Sequence, residues 1–446
     1  MTSAVAPAMT DATFGWKDGW RYGLMGLALA FVALPLYVVL PNYYARHFGI
    51  SLASLGALLL GARLLDAVTD PLLGRWSDRL FARAPASVLG WAALAAALLG
   101  LGFGLLFLPP VSAPKSVLAW AAACLLLTYG AYSALSILHQ SWGARLGGDE
   151  AQRARVVAWR EGLGLLGVVL ASLAPLLLGM VGTSALFVLA LALGWWAWSH
   201  ARQPLAAPMG TPMPIATGAA RAAIAGAQAP QAQTASLWLP LKRPAFRALL
   251  AVFMLNGIAS AVPATVILFF VQDRLQAPTA MQPLFLGSYF LSAALAIPLW
   301  LRLVARIGLA RSWGWGMVLA VAAFVLAAQL GAGDSAAFLL VCTLSGVALG
   351  TDLALPAALL AGTIAANGDR GQAEGAYFGW WNFATKLNLA LAAGIALPAL
   401  AWLGYTPGAQ DPAALQTLTI AYCLLPCALK ALAATLLYFL IIRKSP

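Results

Sequence analysis

The sequence predicts an all-α polytopic membrane protein whose twelve transmembrane helices form two six-helix bundles. Three observations predict it. Apolar segments recur along the whole chain at the length a helix needs to cross a bilayer, about 20 residues. Of the 446 residues, 62% are hydrophobic and only 9% are charged, whereas a soluble domain carries about 25% charged residues. One long linker rich in Ala, Pro, Gln and Gly divides the apolar segments into six and six. Barrel strands are excluded, because they would alternate polar and apolar residues at every second position.

The elements follow in order. The first fifteen residues, MTSAVAPAMTDATFG, lack a basic start and an apolar core, so no cleavable signal peptide is expected. The first span, 20–44, is long enough to stay in the membrane and contains Pro35 and Pro41. The second, 49–74, carries ARLLDAVTDP with three charges inside lipid length. The third and fourth, 86–108 and 115–142, are apolar, and the fourth offers Ser133, Ser136, His139 and Gln140. The fifth, 154–180, opens on AWREG, and the sixth is the short segment 183–200. Residues 202–242, rich in Ala, Pro, Gln and Gly, have little with which to build a core and read as a flexible cytoplasmic linker. They separate an N-terminal bundle, 1–201, from a C-terminal one, 243–446. The remaining spans are 244–271, 281–304, 312–331, 335–363, 373–403 and 413–442. Pro263, Pro298, Pro356 and Pro398 interrupt them, as bundles permit where neighbouring helices re-satisfy the freed backbone.

The formal charge of +12 sets topology. With the N-terminus inside, twenty Lys and Arg residues face the cytoplasm, three face out and three lie within spans. That bias places both termini in the cytoplasm and the protein in a cell (inner or plasma) membrane. It also accounts for the basic charge without any nucleic-acid partner. The four cysteines sit within apolar segments and read as packing residues. No nucleophile–base pair, metal motif or phosphate loop is present, which excludes the common enzyme classes and any cofactor.

Charges inside the spans carry the functional signal. Each costs about 2.5 to 3.5 kcal/mol at a helix centre, so it survives by pairing or by facing a wet cavity. Arg63, Asp66 and Asp70 share one face of the second span. Arg63 can pair with Asp66, which leaves one negative charge for Lys386, a bound Na⁺ or a proton. That is the logic of a coupling site, and its structural counterpart is a static salt-bridge clamp. Lys386 lies among Trp380, Trp381, Asn382, Phe383 and Asn388, residues suited to a cavity wall. Asp352 can pair with Lys386, meet a substrate, or hydrogen-bond locally. Lys430 can snorkel or pack. His139 either lines a cavity or is a satisfied interior histidine, and Arg160 either pairs with loop charges or reaches into the cavity.

Six plus six spans about a central linker resemble the major facilitator plan, in which two halves rock about a midplane site. At RLLDAVTDPLLGRWSDR the chain resembles, more closely, the second helix and following loop of the glycoside–pentoside–hexuronide:cation symporters, the melibiose permease group. EGAYFGWWNFATKLNLALAAGIALP is similar to that family's eleventh helix with its central lysine, and DEAQRARVVAWREGLGLLG to its loop 4–5 and fifth helix. The resemblance implies that Asp66 and Asp70 belong to a cation site and would hold the metal if the ion is Na⁺. It implies that Lys386 sits near substrate and cation, that Arg160 contacts substrate, and that Gly74, Asp78 and Arg79 act in gating. Read from the residues alone, Arg63 joins the coupling set, and Trp381, Asn382, Asp352 and His139 join the substrate candidates. The implied partners are a small solute, a monovalent cation (H⁺ or Na⁺) and membrane lipid, with a monomer as the working unit. Two family features are missing: no acid occurs in the first span after Arg21, and none in the fourth. Gly362 also stands where the family's late tenth-helix aspartate is expected. These departures point to a cargo less polar than a simple sugar. An exporter, an amphiphile or lipid carrier on the same fold, and a non-transporting scaffold are the alternatives.

Overall fold

The structure, a computed structural model, describes residues 14–48, 50, 52–111, 113–204, 236–278, 281–405 and 408–444. In chain order the helices are α1 (Trp16–Phe31), α2 (Leu40–Phe48), α3 (Leu52–Arg83), α4 (Pro85–Phe107), α5 (Pro114–Arg145) and α6 (Glu150–Ser199). The second half holds α7 (Leu239–Lys242), α8 (Pro244–Phe269), α9 (Gln282–Ile307), α10 (Leu309–Ala327) and α11 (Ser335–Ala366). It ends with α12 (Glu374–Trp402), α13 (Pro412–Thr419) and α14 (Leu425–Leu440). π-helical turns join α1 to α2 (Pro35–Val39), extend α8 (Phe270–Arg274) and join α13 to α14 (Ile420–Leu424). The last has a local cause: the ring of Pro426 cannot accept the carbonyl of Tyr422 four residues back, so the turn widens.

These helices make the twelve expected passes. α1 with α2 forms the first, and α13 with α14 the last. α6 accounts for two: at 50 residues a straight helix would reach about 75 Å, far beyond a hydrocarbon core of about 30 Å. It reverses at Gly179, where φ is 64° and ψ −178°. Only glycine enters that backbone region without strain. The reversal falls just before the 181–182 break that the apolar pattern suggested. Both arms flank α1: Trp16 meets Trp159 of the first arm edge to face, and Phe31 stacks on Phe187 of the second.

Helix faces are inverted relative to a soluble bundle. On α3, Leu64, Leu65, Val68 and Leu72 are exposed, while Asp66 and Asp70 are buried. The apolar face is the one that lipid covers, and the charged face turns inward, as the cost of charge in hydrocarbon requires. The same logic leaves Leu176, Leu177 and Trp402 on the outside.

Of the expected linker, 205–235 lies outside the described residues. Its end packs against the second half. Residues 239–242 form the helical turn α7, Trp238 rests on Trp380, and Trp380 Nε1 donates to the Leu237 carbonyl. Arg243 follows with two bonds to Asp369, at 2.9 and 2.6 Å, and Asp369 also accepts from Tyr377. Those bonds and the Asp369 charge hold the Arg243 guanidinium above its ordinary range. Two tryptophans and an ion pair thus dock the incoming chain just before α8. His200 and Arg202, at the end of the sixth pass, accept bonds from Arg21 and Trp142 through their carbonyls, so this end of the molecule, the linker face, is anchored in both halves.

The Gly179 reversal can be tested directly. Gly179→Ala is expected to cost about 1–3 kcal/mol of stability, read as a lower thermal midpoint of the detergent-purified protein. Gly162→Ala on the same helix, where an added Cβ meets open space, serves as the comparison.

Candidate functional site

α3 and α12 cross closely, one from each bundle. Asp66 and Asp70 are four residues apart, so both project from the inward face of α3. Thr69 Oγ1 donates to the Asp66 carbonyl at 2.8 Å, satisfying one backbone group of the turn that leads to Pro71. Opposite them, Lys386 projects from the middle of α12. Its Nζ lies 2.6 Å from Asp66 Oδ2 and 2.8 Å from Asp70 Oδ2. It donates to Asp70 Oδ1 at 2.9 Å and to Ser133 Oγ of α5 at 2.8 Å. Ser133 in turn donates to Asp66 Oδ1 at 2.7 Å.

One ammonium thus bridges two carboxylates and a hydroxyl across the junction of the bundles. The two aspartates are almost wholly buried, at 8% and 0% exposure. Two acids and one base leave the trio with one net negative charge. Asp70 Oδ2 is buried and lies 2.8 Å from the same ammonium, so both oxygens of this carboxylate face Lys386. The oxygens of Asp66, Asp70 and Ser133 converge on a single point, now filled by Nζ, so a monovalent cation there would replace the ammonium rather than join it.

The other expected site residues are placed differently. Arg63, on the same helix, is half-buried. Asp352 is held within the second bundle and pairs with Lys430 at 2.8 Å instead of Lys386. It also accepts from Asn256 and Trp313. His139 is a core residue: it is 0% exposed, stacks on Tyr22 and meets Trp198 edge to face, and its Nε2 lies 2.9 Å from the Tyr22 carbonyl. Arg160 pairs with its neighbour Glu161 at 2.6 Å, and with Gln140 and Phe378 it borders a small internal void. Trp381 is buried against Phe253, with ring centroids 3.7 Å apart, and Asn382 is half-buried. Of the residues expected to couple, Asp66, Asp70 and Lys386 are therefore brought together, while Asp352 and His139 lie apart from them, in contacts of their own.

The comparisons with known proteins follow from this geometry. A family model described as MFS/sugar transport protein matches residues 21–444. The chain belongs to that family. It is a family of membrane transporters and not of enzymes, which agrees with the resemblance to cation symporters seen in the α3 and α12 motifs. Among curated relatives, the chain is 44% identical over 71 residues to "Putative glycoside/cation symporter YagG" of Escherichia coli (strain K12), covering 16% of this chain and 15% of that protein. It is 26% identical over 162 residues to "Inner membrane symporter YicJ" of the same strain, covering 35% and 33%. The matches therefore span well under half of either relative. Two solved structures share the fold. A bacterial homologue of the iron transporter ferroportin in an outward-facing state has a TM-score of 0.67 at 16% identity, covering 95% of this chain and 98% of that one. FucP, a major facilitator superfamily transporter in the outward conformation, has a TM-score of 0.62 at 12% identity, covering 95% and 99%.

In this family member the linker face is shut. Gly74 and Gly375 touch backbone to backbone, which a side chain on either would prevent. One turn on, Asp78 accepts from the Gly375 and Ala376 amides at 2.7 and 2.8 Å. A carboxylate from one bundle thereby caps the N-terminus of a helix in the other, where the helix dipole favours negative charge. Arg145 adds ion pairs at 2.9 Å to both Asp78 and Glu374 and donates to the Gly371 carbonyl at 3.0 Å. Glu150 repeats the device, accepting from the Leu309 amide at the start of α10. Arg79, included with Gly74 and Asp78 on sequence grounds, is exposed. Arg145, Glu374 and Glu150 were not marked by the sequence, because charges at span ends are ordinary.

Breaking a buried ion pair from one side costs about 3–5 kcal/mol. Arg145→Gln is therefore expected to loosen the linker face. A cysteine placed at Ser77, fully buried here, should gain reactivity toward a water-soluble maleimide in the Arg145→Gln background. Equal labelling with and without the substitution would show that Arg145 does not hold this face closed.

Proposed function

We propose that this chain is a cation-coupled symporter. It moves a small solute, glycoside-like or a less polar derivative, together with H⁺ or Na⁺ by alternating access. The observation that carries the reading is Lys386 Nζ of one bundle lying within 2.8 Å of both Asp66 and Asp70 of the other. The printed names of the two curated relatives, a glycoside/cation symporter and an inner membrane symporter, support it.

Charge balance explains how such a site couples two ligands. A cation bound by Asp66 and Asp70 displaces Lys386 and leaves its ammonium without a partner. A substrate that accepts hydrogen bonds from Lys386 restores the balance. Cation alone or substrate alone leaves a buried charge unmatched, at a cost of about 3–5 kcal/mol. In the empty carrier the ammonium of Lys386 holds both carboxylates, and in the fully loaded one the cation and the solute's acceptors take over, whereas the half-loaded one, with a buried group unanswered, is held back. Arg63 belongs to the charged face that tunes this balance. Arg160, which borders a small void between the bundles, and Trp381 and Asn382, on the helix that carries Lys386, are the candidates for orienting the solute. With both termini in the cytoplasm of a cell membrane, the closed linker face corresponds to an outward-open carrier, poised to import, and the working unit is a monomer.

The test is uptake of a radiolabelled glycoside panel into proteoliposomes under an imposed H⁺ or Na⁺ gradient. Wild type should accumulate at least one solute under one gradient and lose it when an ionophore collapses that gradient. Asp70→Asn should fall to the level of empty vesicles while keeping its fold. Normal gradient-driven accumulation by Asp70→Asn would refute the coupling role.

A further inference from the structure

The second bundle contains a cavity that the symport site does not use. Its volume is about 160 Å³. It is lined from α8, α9, α10, α11 and the α13–α14 pass, and no residue of α12 or of the first bundle contributes. It is therefore separate from the Asp66–Asp70–Lys386 junction.

Most of the wall is apolar and aromatic, including Phe285, Phe324 and Tyr422. One end is ionic. Lys430 and Asp352 line it, 2.8 Å apart, with Ser260 beside them. Asp352 is saturated: Oδ1 accepts from Asn256 at 3.1 Å and Trp313 at 2.8 Å, and Oδ2 accepts from Lys430 at 2.8 Å and Ser260 at 3.4 Å. Lys430 is not. Two of its three N–H groups go to Asp352 and Ser260, and among the described residues the third has no partner. The way in is marked by Ala264 and Leu286, the lining residues that are exposed.

We propose that this cavity is a binding site for a small neutral ring compound with a single hydrogen-bond acceptor. Size sets the ring: an apolar protein cavity of about 150 Å³ takes up benzene. The ion pair sets the charge. It is already neutral, so a charged ligand would bring an unmatched charge into an apolar space. The spare Lys430 N–H sets the polar group. It needs an acceptor, and at this ionic end the Asp352 carboxylate is already filled. An aromatic ketone has all three properties.

Acetophenone is the probe, measured by equilibrium dialysis against the full chain in detergent. Comparators are cumene, which has the shape without the acceptor, and benzoate and 1-phenylethylammonium, which carry charge. Acetophenone should show one saturable site per chain above linear partitioning into micelles. Cumene should bind about tenfold more weakly, the value of one hydrogen bond to a charged donor. The two ions should not compete. Ala320→Leu and Leu349→Trp each fill the cavity from a different helix, and in either variant that keeps its thermal midpoint the saturable component should vanish. Linear partitioning alone in wild type overturns the proposal. So does saturable binding retained in a folded filled variant, or equal affinity for acetophenone and cumene. Transport is not read in any arm, so the outcome stands apart from that of the symport test.

Discussion

The rest of the structure depends on one constraint: two carboxylates buried between the bundles must be matched by charge from the opposite bundle. In hydrocarbon neither acid can be left to water, and the single ammonium of Lys386 serves both. The arrangement needs α3 and α12 in contact from Asp66 to Asp78 on one helix and from Gly375 to Lys386 on the other. It needs α5 near enough to lend Ser133. It also turns α3 inside out, with leucines toward lipid and aspartates toward the partner bundle. Packing, topology and electrostatics are here parts of one requirement.

A second ionic layer lies one helix half away, on the linker face. The midplane layer is made of side chains meeting side chains, with a net charge that invites a cation. The linker-face layer is made of carboxylates meeting helix N-termini, with Arg145 completing the balance. The two layers share their helices, since α3 carries both Asp70 and Asp78 and α12 carries both Lys386 and the amides of Gly375 and Ala376. A change in charge at the midplane therefore acts on the same helix pair that shuts the face.

Much of this was legible in the sequence, for physical reasons that differ by residue. Twelve passes and two bundles follow from segment length and the central linker. Asp66, Asp70 and Lys386 stood out because charge is rare where water is absent. Arg145, Glu150 and Glu374 did not, because at a span end a charge needs no explanation and its partner lies in the other bundle. Asp352 and Lys430 were visible singly. Their pairing was not, since 78 residues separate them and each can be satisfied locally. His139 was read as either a cavity residue or a packed one, and the rings of Tyr22 and Trp198 place it in the core. Of the family's sugar-binding acids, the absence of those in the first and fourth spans is a fact of sequence alone.

The cap that Asp78 places on α12 has a consequence for how the face can open. Asp78 holds backbone amides, which are present whatever side chains stand at 375 and 376. Both amides belong to one rigid turn, so tilting α12 withdraws them together and leaves two buried donors unanswered at once, while Asp78 keeps its ion pair with Arg145 of its own bundle. Release of this cap is therefore concerted, with both bonds lost as a pair.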